Sequence, residues 1–255
     1  MSKTTHFGYQ QVDETEKAEK VGAVFNSVAS KYDIMNDVMS FGVHRLWKDW
    51  YVWQCAPKPG ETVLDLAAGT GDISARLARQ MCRKGAGGDV EGRLIVSDIN
   101  ASMLARGRER LISKGWLQNL EFVLADAEKL PFADNSIDLI TMAFGLRNVT
   151  HQDQALREMV RVLKPSGRVL ILEFSHPTST TFGKIYDWYS FSFLPQMGKL
   201  IAKDADSYQY LAESIRMMPD QMALQMLFEE AGLVRCEYQN LTNGVVAIHQ
   251  GFKPE

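Results

Sequence analysis

The chain has 255 residues, 45% of them apolar and 23% charged, which is material for one large α/β domain or two small ones with an ordinary soluble composition. Its 28 basic and 31 acidic residues leave a net charge of −3, and that balance argues against a nucleic-acid binder, which would present a basic face. Three scattered cysteines, Cys55, Cys82 and Cys236, form no C-x-x-C pair, so neither a disulfide frame nor a zinc site is expected, and the thiols point to a reducing compartment.

The start, MSKTTHFGYQQVDETEKAEK, is polar and acidic, unlike a signal or transit peptide. Residues 1–20 read as a loosely held arm. From there Val21, Val24, Phe25 and Val28 share one helical face. The segment 43–53, VHRLWKDWYVW, reads as a second helix, closed by a turn at PKPG, 57–60. Alternation then sets in. Strands are predicted over 62–68, 92–99, 120–127, 137–145 and 167–175, with helices over 72–82, 101–115 and 152–164. The Gly-rich stretch 84–92 reads as a surface loop. Short apolar β-runs between amphipathic helices predict an α/β fold with a doubly wound, mostly parallel sheet. Residues 180–218 are aromatic-rich and hold no strong strand signal. A helix over 219–232 follows, then strands over 233–241 and 244–252, with Thr242-Asn243 as a tight hairpin between them. The divisions are an N-terminal arm and helical cap (1–56), a Rossmann-like core (57–178), a helical insertion (179–218) and a C-terminal helix and hairpin completing the core sheet (219–255). No run approaches ~20 apolar residues, so no spanning helix is expected.

The stretch TVLDLAAGTGD, 62–72, decides the ligand class. In open α/β sheets the ligand lies beyond the carboxyl ends of the strands. Gly69 and Gly71 match two glycines of a dinucleotide fingerprint, but Ser74 stands where the third belongs. Asp65 and Asp72 would also repel a pyrophosphate from the helix N-terminus. A cationic ligand reverses that argument. S-adenosylmethionine (SAM) carries a sulfonium and an ammonium against one carboxylate. Asp65 would attract its cationic end, directly or through water, and the small residues let the backbone approach. Asp98, ending the second strand, is placed to accept both ribose hydroxyls. Asp126 would accept from an adenine amino group, with Ala127 leaving room for the ring. The competing reading is that each Asp merely caps the following helix.

The motifs LDLAAGTGD, SDIN, ADAEKLPF, FGLRNV, RVLKPSGRVLILEFS and YQYLAESIRMMPDQ together resemble the ubiquinone/menaquinone biosynthesis C-methyltransferases. The similarity runs from residue 4 nearly to the C-terminus, and FGLRNV and YLAESIR are its most specific parts. The resemblance implies a class I SAM-dependent methyltransferase fold of seven strands, the last antiparallel. It implies methylation of a ring carbon of a polyprenyl benzoquinol, with demethylmenaquinol as a second substrate. Cofactor contacts are implied at Thr70, Asp98, Asp126 and Ala127, beside Gly69, Gly71 and Ile99. Arg147 and Asn148, with ordered waters, are implied to start catalysis. Ala67 replaces the first glycine of a D-x-G-x-G-x-G pattern, a mild change. Ala143 stands where some relatives carry a SAM-contacting Ser, so only its backbone could serve.

A quinol ring carbon attacks well only after a phenolic hydroxyl ionises, and a ring proton must later leave. The site must supply phenolate stabilisation, a proton acceptor and alignment. Arginine keeps its proton to a pKa above roughly 12, so Arg147 is expected to lower the phenol pKa rather than act as a base. Asp72 and His151 are the candidate acceptors. Tyr32 and Met35 are expected near the cofactor, and His44-Arg45 is open between substrate and a neighbouring acid. The cluster of Phe182, Ile185, Tyr186, Trp188, Tyr189, Phe191, Phe193 and Leu194 reads either as core or homodimer interface, or as a greasy entrance for a prenyl tail at the membrane surface. A cytoplasmic protein is expected, with peripheral inner-membrane contact and a quinone-biosynthesis complex left open; neither a metal nor nucleic acid is expected. Another small-molecule methyltransferase on this fold, an NAD-binding dehydrogenase and a non-catalytic scaffold are the alternatives.

Overall fold

A computed structural model describes residues 4–28, 37, 40, 42–82, 89–116, 118–179, 183 and 205–255. Tyr32, Met35, most of the 84–92 loop and the aromatic cluster Phe182 to Leu194 lie outside the described residues.

Seven strands form the main sheet: β3 (Thr62–Leu66), β4 (Asp89–Asp98), β5 (Gln118–Leu124), β6 (Ile137–Ala143), β7 (Leu163–Phe174), β8 (Val234–Leu241) and β9 (Val246–Phe252). Their order is β5-β4-β3-β6-β7-β9-β8. The first five in sequence run parallel, and β9 is antiparallel to both β7 and β8. The predicted sheet is therefore present, with the antiparallel strand inserted inside the edge. Parallel strands are covered on both faces, which is why β3 is apolar at successive positions. Val63 enters one core with Tyr51, Leu77 and Leu94, whereas Leu64 and Leu66 enter the other with Ile140, Leu156 and Phe228. The helices are α1 (Glu14–Val28), α2 (His44–Cys55), α3 (Asp72–Met81), α4 (Ala101–Ser113), α5 (Gln152–Val162), α6 (Ala205–Arg216) and α7 (Gln221–Glu230). Asn100 caps α4, its Oδ1 accepting from the Ser102 and Met103 amides at 3.0 and 3.1 Å.

Two expectations need correction. The N-terminal residues are not a loose arm. β1 (Thr4–Phe7) and β2 (Gln10–Asp13) form an antiparallel hairpin, and α1 starts at Glu14 rather than Val21. Long-range contacts hold the hairpin in place: Phe7 stacks on Tyr210 at 4.2 Å, and the Tyr9 amide donates to Glu213 at 3.1 Å. The C-terminal hairpin also lacks the two-residue turn. Its strands are joined through a 3₁₀ turn in which Thr242, Asn243 and Gly244 all have positive φ.

The strand order reverses between β3 and β6, since β4 and β5 lie to one side and β7 to the other. Ligands bind beyond the strand ends at such a switch point.

Candidate active site

A cavity of about 510 Å³ occupies that position. Its floor is the C-terminal edge of the sheet and the turn after β3, and α1 crosses it through Glu14, Thr15 and Ala18. Asp65, Gly69, Thr70, Asp72, Asp98, Ile99, Asp126, Ala127, Ala143, Asn148 and His151 all line it. Gly71 and Arg147 do not line it.

Gly71 instead shapes the turn. Its φ of +73° is left-handed, and it precedes the first residue of α3. Gly107 on α4 packs directly beneath, where a Cβ would come 3.0 Å from the Gly69 carbonyl and 3.3 Å from the Gly71 amide. Ala67, in place of the expected glycine, also takes a positive φ, of 54°. Across the cavity Phe144 does the same at 56°. Gly145 must lack a side chain there, because a Cβ would sit 2.7 Å from the Ala67 methyl. Left-handed non-glycine residues are costly and gather where the surroundings over-determine them.

The strand-end acids differ in electrostatic state. Asp65 is fully buried and accepts from the Ser74 and Thr141 hydroxyls, Thr141 lying opposite it in the β3–β6 register. Burial raises its pKa to about 7 against those two hydrogen bonds. The unfolded chain ionises this group near 3.8, so between pH ~4 and ~7 the native state holds a proton that the unfolded state has lost. Its contribution to stability therefore falls as pH rises through that window and levels off above it, by up to about 4 kcal/mol. Asp65→Asn is expected to flatten that slope in urea melts taken from pH 4 to 8; an unchanged slope would place the titration elsewhere.

Asp98 accepts from the Gly69 and Asn100 amides, each at 2.7 Å, which ties β4 to the turn. Burial raises its pKa in spite of those amides. Asp126, beyond β5, is exposed and accepts from the Glu128 amide at 2.9 Å. The Thr70 hydroxyl takes a hydrogen bond from Arg110 at 3.2 Å.

The two expected proton acceptors are both engaged in ion pairs. Asp72 pairs with Lys48 at 2.9 Å and with Arg76. Burial alone would raise its pKa, but the two cations overcome that and hold it at about 2. His151 has both ring nitrogens engaged, Nδ1 with Glu128 at 2.7 Å and Nε2 with Glu14 at 3.2 Å. Its hydrogen bond to Glu128 raises its pKa, which favours imidazolium. It serves as a clasp between α1 and the sheet edge. Lys17 adds a second tie, donating to the Val149 carbonyl at 3.1 Å.

Arg147 lies behind the cavity wall in the 3₁₀ turn Leu146–Asn148. Its guanidinium pairs with Glu173 at 3.0 Å, donates to the Phe144 carbonyl and lies over the Phe174 ring at 5.5 Å. The expected free cation is thus matched by a fully buried carboxylate. Nε remains buried with no hydrogen-bond partner. His44 and Arg45 face Asp37 rather than the cavity, with Arg45 at 2.6 Å. Lys48, Glu128, Glu173 and Tyr210 escaped the sequence reading. Lys48 had a signal, since it shares the inward face of α2 with His44, Tyr51 and Cys55.

Residues 13–253 match the ubiE/COQ5 methyltransferase family. The chain belongs to the ubiE/COQ5 methyltransferase family. It is 55% identical over 251 residues to the ubiquinone/menaquinone biosynthesis C-methyltransferase UbiE of Pseudomonas fluorescens, covering 98% of this chain and 95% of that protein. The Pseudomonas paraeruginosa protein of the same name is 57% identical with the same coverage. Among solved structures, a SAM-dependent methyltransferase from Aquifex aeolicus superposes with a TM-score of 0.57 at 19% identity, over 80% of this chain and 88% of that one. One from Thermotoga maritima, titled a possible histamine N-methyltransferase, gives 0.60 at 17% identity, over 91% and 98%. These neighbours establish the class I methyltransferase fold. A ubiE/COQ5 family chain on this fold is an enzyme, a methyltransferase.

Proposed function

We propose that this protein transfers a methyl group from SAM to a ring carbon of a polyprenyl benzoquinol of the 2-polyprenyl-6-methoxy-1,4-benzoquinol type, with demethylmenaquinol as a second acceptor, in ubiquinone and menaquinone biosynthesis. One observation carries the reading: three strand-end acids and a left-handed glycine turn converge on one cavity, in a chain 55% identical to a ubiquinone/menaquinone biosynthesis C-methyltransferase.

The residues present fit SAM. Asp98 would take the ribose hydroxyls, because its two anchoring amides leave other lone pairs for the cavity. Asp126 would accept from the adenine amino group beside Ala127. Asp65 would ionise against the cationic end, and a carboxylate with a pKa near neutrality can do so at little cost. When bound, SAM supplies an electrophilic methyl on sulfur. Asn148 on the cavity wall would hold a quinol oxygen as its phenolate forms, and the Arg147 guanidinium behind that wall would act on it through its charge alone. With Asp72 and His151 both engaged, water would carry away the phenolic proton and, once the carbon–methyl bond has formed, the ring proton whose loss restores the aromatic ring. A polyprenyl acceptor partitions into a bilayer, so the protein works at the inner-membrane surface. Among the described residues no helix is long and apolar enough to cross a membrane.

A labelled-methyl assay with SAM and a short-tailed demethylated quinol tests the proposal. Transfer of one methyl to the ring is expected. Tight SAM binding without transfer would leave a scaffold, and binding of NAD in place of SAM would end the methyltransferase reading. Gly107→Ala gives a structural check. Alanine within a helix normally gains about 1 kcal/mol over glycine, but here the new methyl presses on the Gly69 carbonyl. SAM affinity by calorimetry is expected to fall about tenfold with no gain in Tm. Full affinity together with a raised Tm would mean that the turn yields freely.

A further inference from the structure

We propose that Tyr210 is a positioning residue for methyl transfer, acting through Asn148; this rests on the function proposed above. Tyr210 lies on α6, buried, and its hydroxyl donates to Asn148 Oδ1 at 3.0 Å. A carboxamide has one acceptor oxygen and one amino group with two donors. With Oδ1 turned to the Tyr210 hydroxyl, the planar amide is fixed in one of its two orientations, and the amino group at its other end is the donor Asn148 has for the cavity it lines. Negative charge growing on a quinol oxygen calls for donors aimed at it in advance. Tyr210 thus sets which end of the amide the substrate meets.

A purely structural role explains less. The backbone of the 146–148 turn is already held by bonds from the Asn148 amide to the Gly145 carbonyl and from the Val149 amide to the Leu146 carbonyl, each 3.1 Å. Tyr210 adds nothing to that backbone; it fixes the orientation of a side chain. The tyrosine ring is itself clamped. Phe7 stacks on it with an interplanar angle of 20°, and Glu213, one turn further along α6, takes the Tyr9 amide. The N-terminal hairpin therefore reaches the reacting centre through one aromatic pair and one hydroxyl. Burial pushes the Tyr210 hydroxyl up to about 12, with Arg147 lowering it and Glu173 raising it. The group stays a donor throughout the working pH range.

Tyr210→Phe keeps the ring and its stack and removes only the donor. The expected result is a kcat lower by about 10- to 100-fold, the scale of a misaligned reacting group, with the SAM Kd within about twofold of wild type. In the Asn148→Ala background, Tyr210→Phe is expected to cost less than about twofold more, because the residue it acts through is gone. A Tyr210→Phe enzyme with near-normal kcat, or one losing as much with Asn148 absent as with it present, would overturn the proposal. Should Tyr210→Phe fail to fold, Phe7→Leu loosens the same clamp. It is expected to lower kcat in the presence of Asn148 only, and an unchanged kcat would equally overturn the idea. Wild-type turnover of the demethylated quinol separates the two readings. Its absence would overturn both, whereas an active wild type beside an equally active Tyr210→Phe would overturn this one alone.

Discussion

Glu173→Ala is expected to lower the free energy of unfolding by about 3–5 kcal/mol, because it strands the Arg147 guanidinium in the interior without its countercharge. Both side chains are almost wholly removed from solvent, at 4% and 0% exposure, so water cannot replace the lost partner. Glu173 also accepts from the Arg147 and Phe174 backbone amides at 3.2 and 2.9 Å, and alanine would orphan both. For a chain of this size the loss corresponds to roughly 10 °C in Tm. The double variant Arg147→Met/Glu173→Leu should recover the part of that loss due to the stranded charge, since a buried ion pair replaced by apolar residues of similar volume is often near neutral, while the two backbone amides stay without their acceptor. Its methyl transfer should nevertheless be absent. A double variant more stable than the single one yet without turnover is the result expected if Arg147 serves the reaction rather than the fold. A single variant costing under about 1 kcal/mol, or a double variant costing the sum of its parts, would show that the pair is not the tightly coupled unit described.

The contrast between Arg147 and the three aspartates marks what was legible in the sequence. Asp65, Asp98 and Asp126 could be placed because parallel strands all end at one edge, so an acid at each strand end must come near the others. The doubly wound pattern supplied that edge from periodicity alone. Glu173 offered no such signal. In the run LILEFS it reads as the polar end of a buried strand, and its partner lies 26 residues away. Only the β6–β7 register, which sets Ala143 beside Leu172, brings the two together. The pairing of Asp72 is hidden for a related reason. Arg76, one turn along the same helix, was visible at i+4, but Lys48 comes from α2 and needed the packed fold. His151 looked like a proton carrier until Glu14 and Glu128 appeared on either side of it. The hairpin at 4–13 escaped because its residues are mostly polar and its order comes from Tyr210 and Glu213, some two hundred positions later. What stayed hidden was long-range charge pairing, which decides whether a residue type capable of a task is free to perform it.

Asp98→Ala is expected to weaken SAM binding by about 100- to 1,000-fold, or roughly 3–4 kcal/mol. Two effects add. On the proposed function the carboxylate would lose its hydrogen bonds to the ribose hydroxyls, and bonds to a charged group are worth about 1.5–3 kcal/mol each. In addition, the Gly69 and Asn100 amides lose their acceptor, which loosens the left-handed turn from below and the start of α4 from the side. Asp98→Asn separates these contributions. It keeps an acceptor oxygen for one amide but offers a donor where the ligand needs an acceptor, so an intermediate loss of about 10- to 50-fold is expected. Asp126→Ala should cost less than Asp98→Ala, about tenfold, because Asp126 is exposed and water competes for its hydrogen bond. Calorimetric titration of each purified variant with SAM gives the order directly. Asp98→Ala binding within about threefold of wild type would mean that the second strand end does not hold the ribose, and the assignment of this cavity to a methyl donor would fall with it.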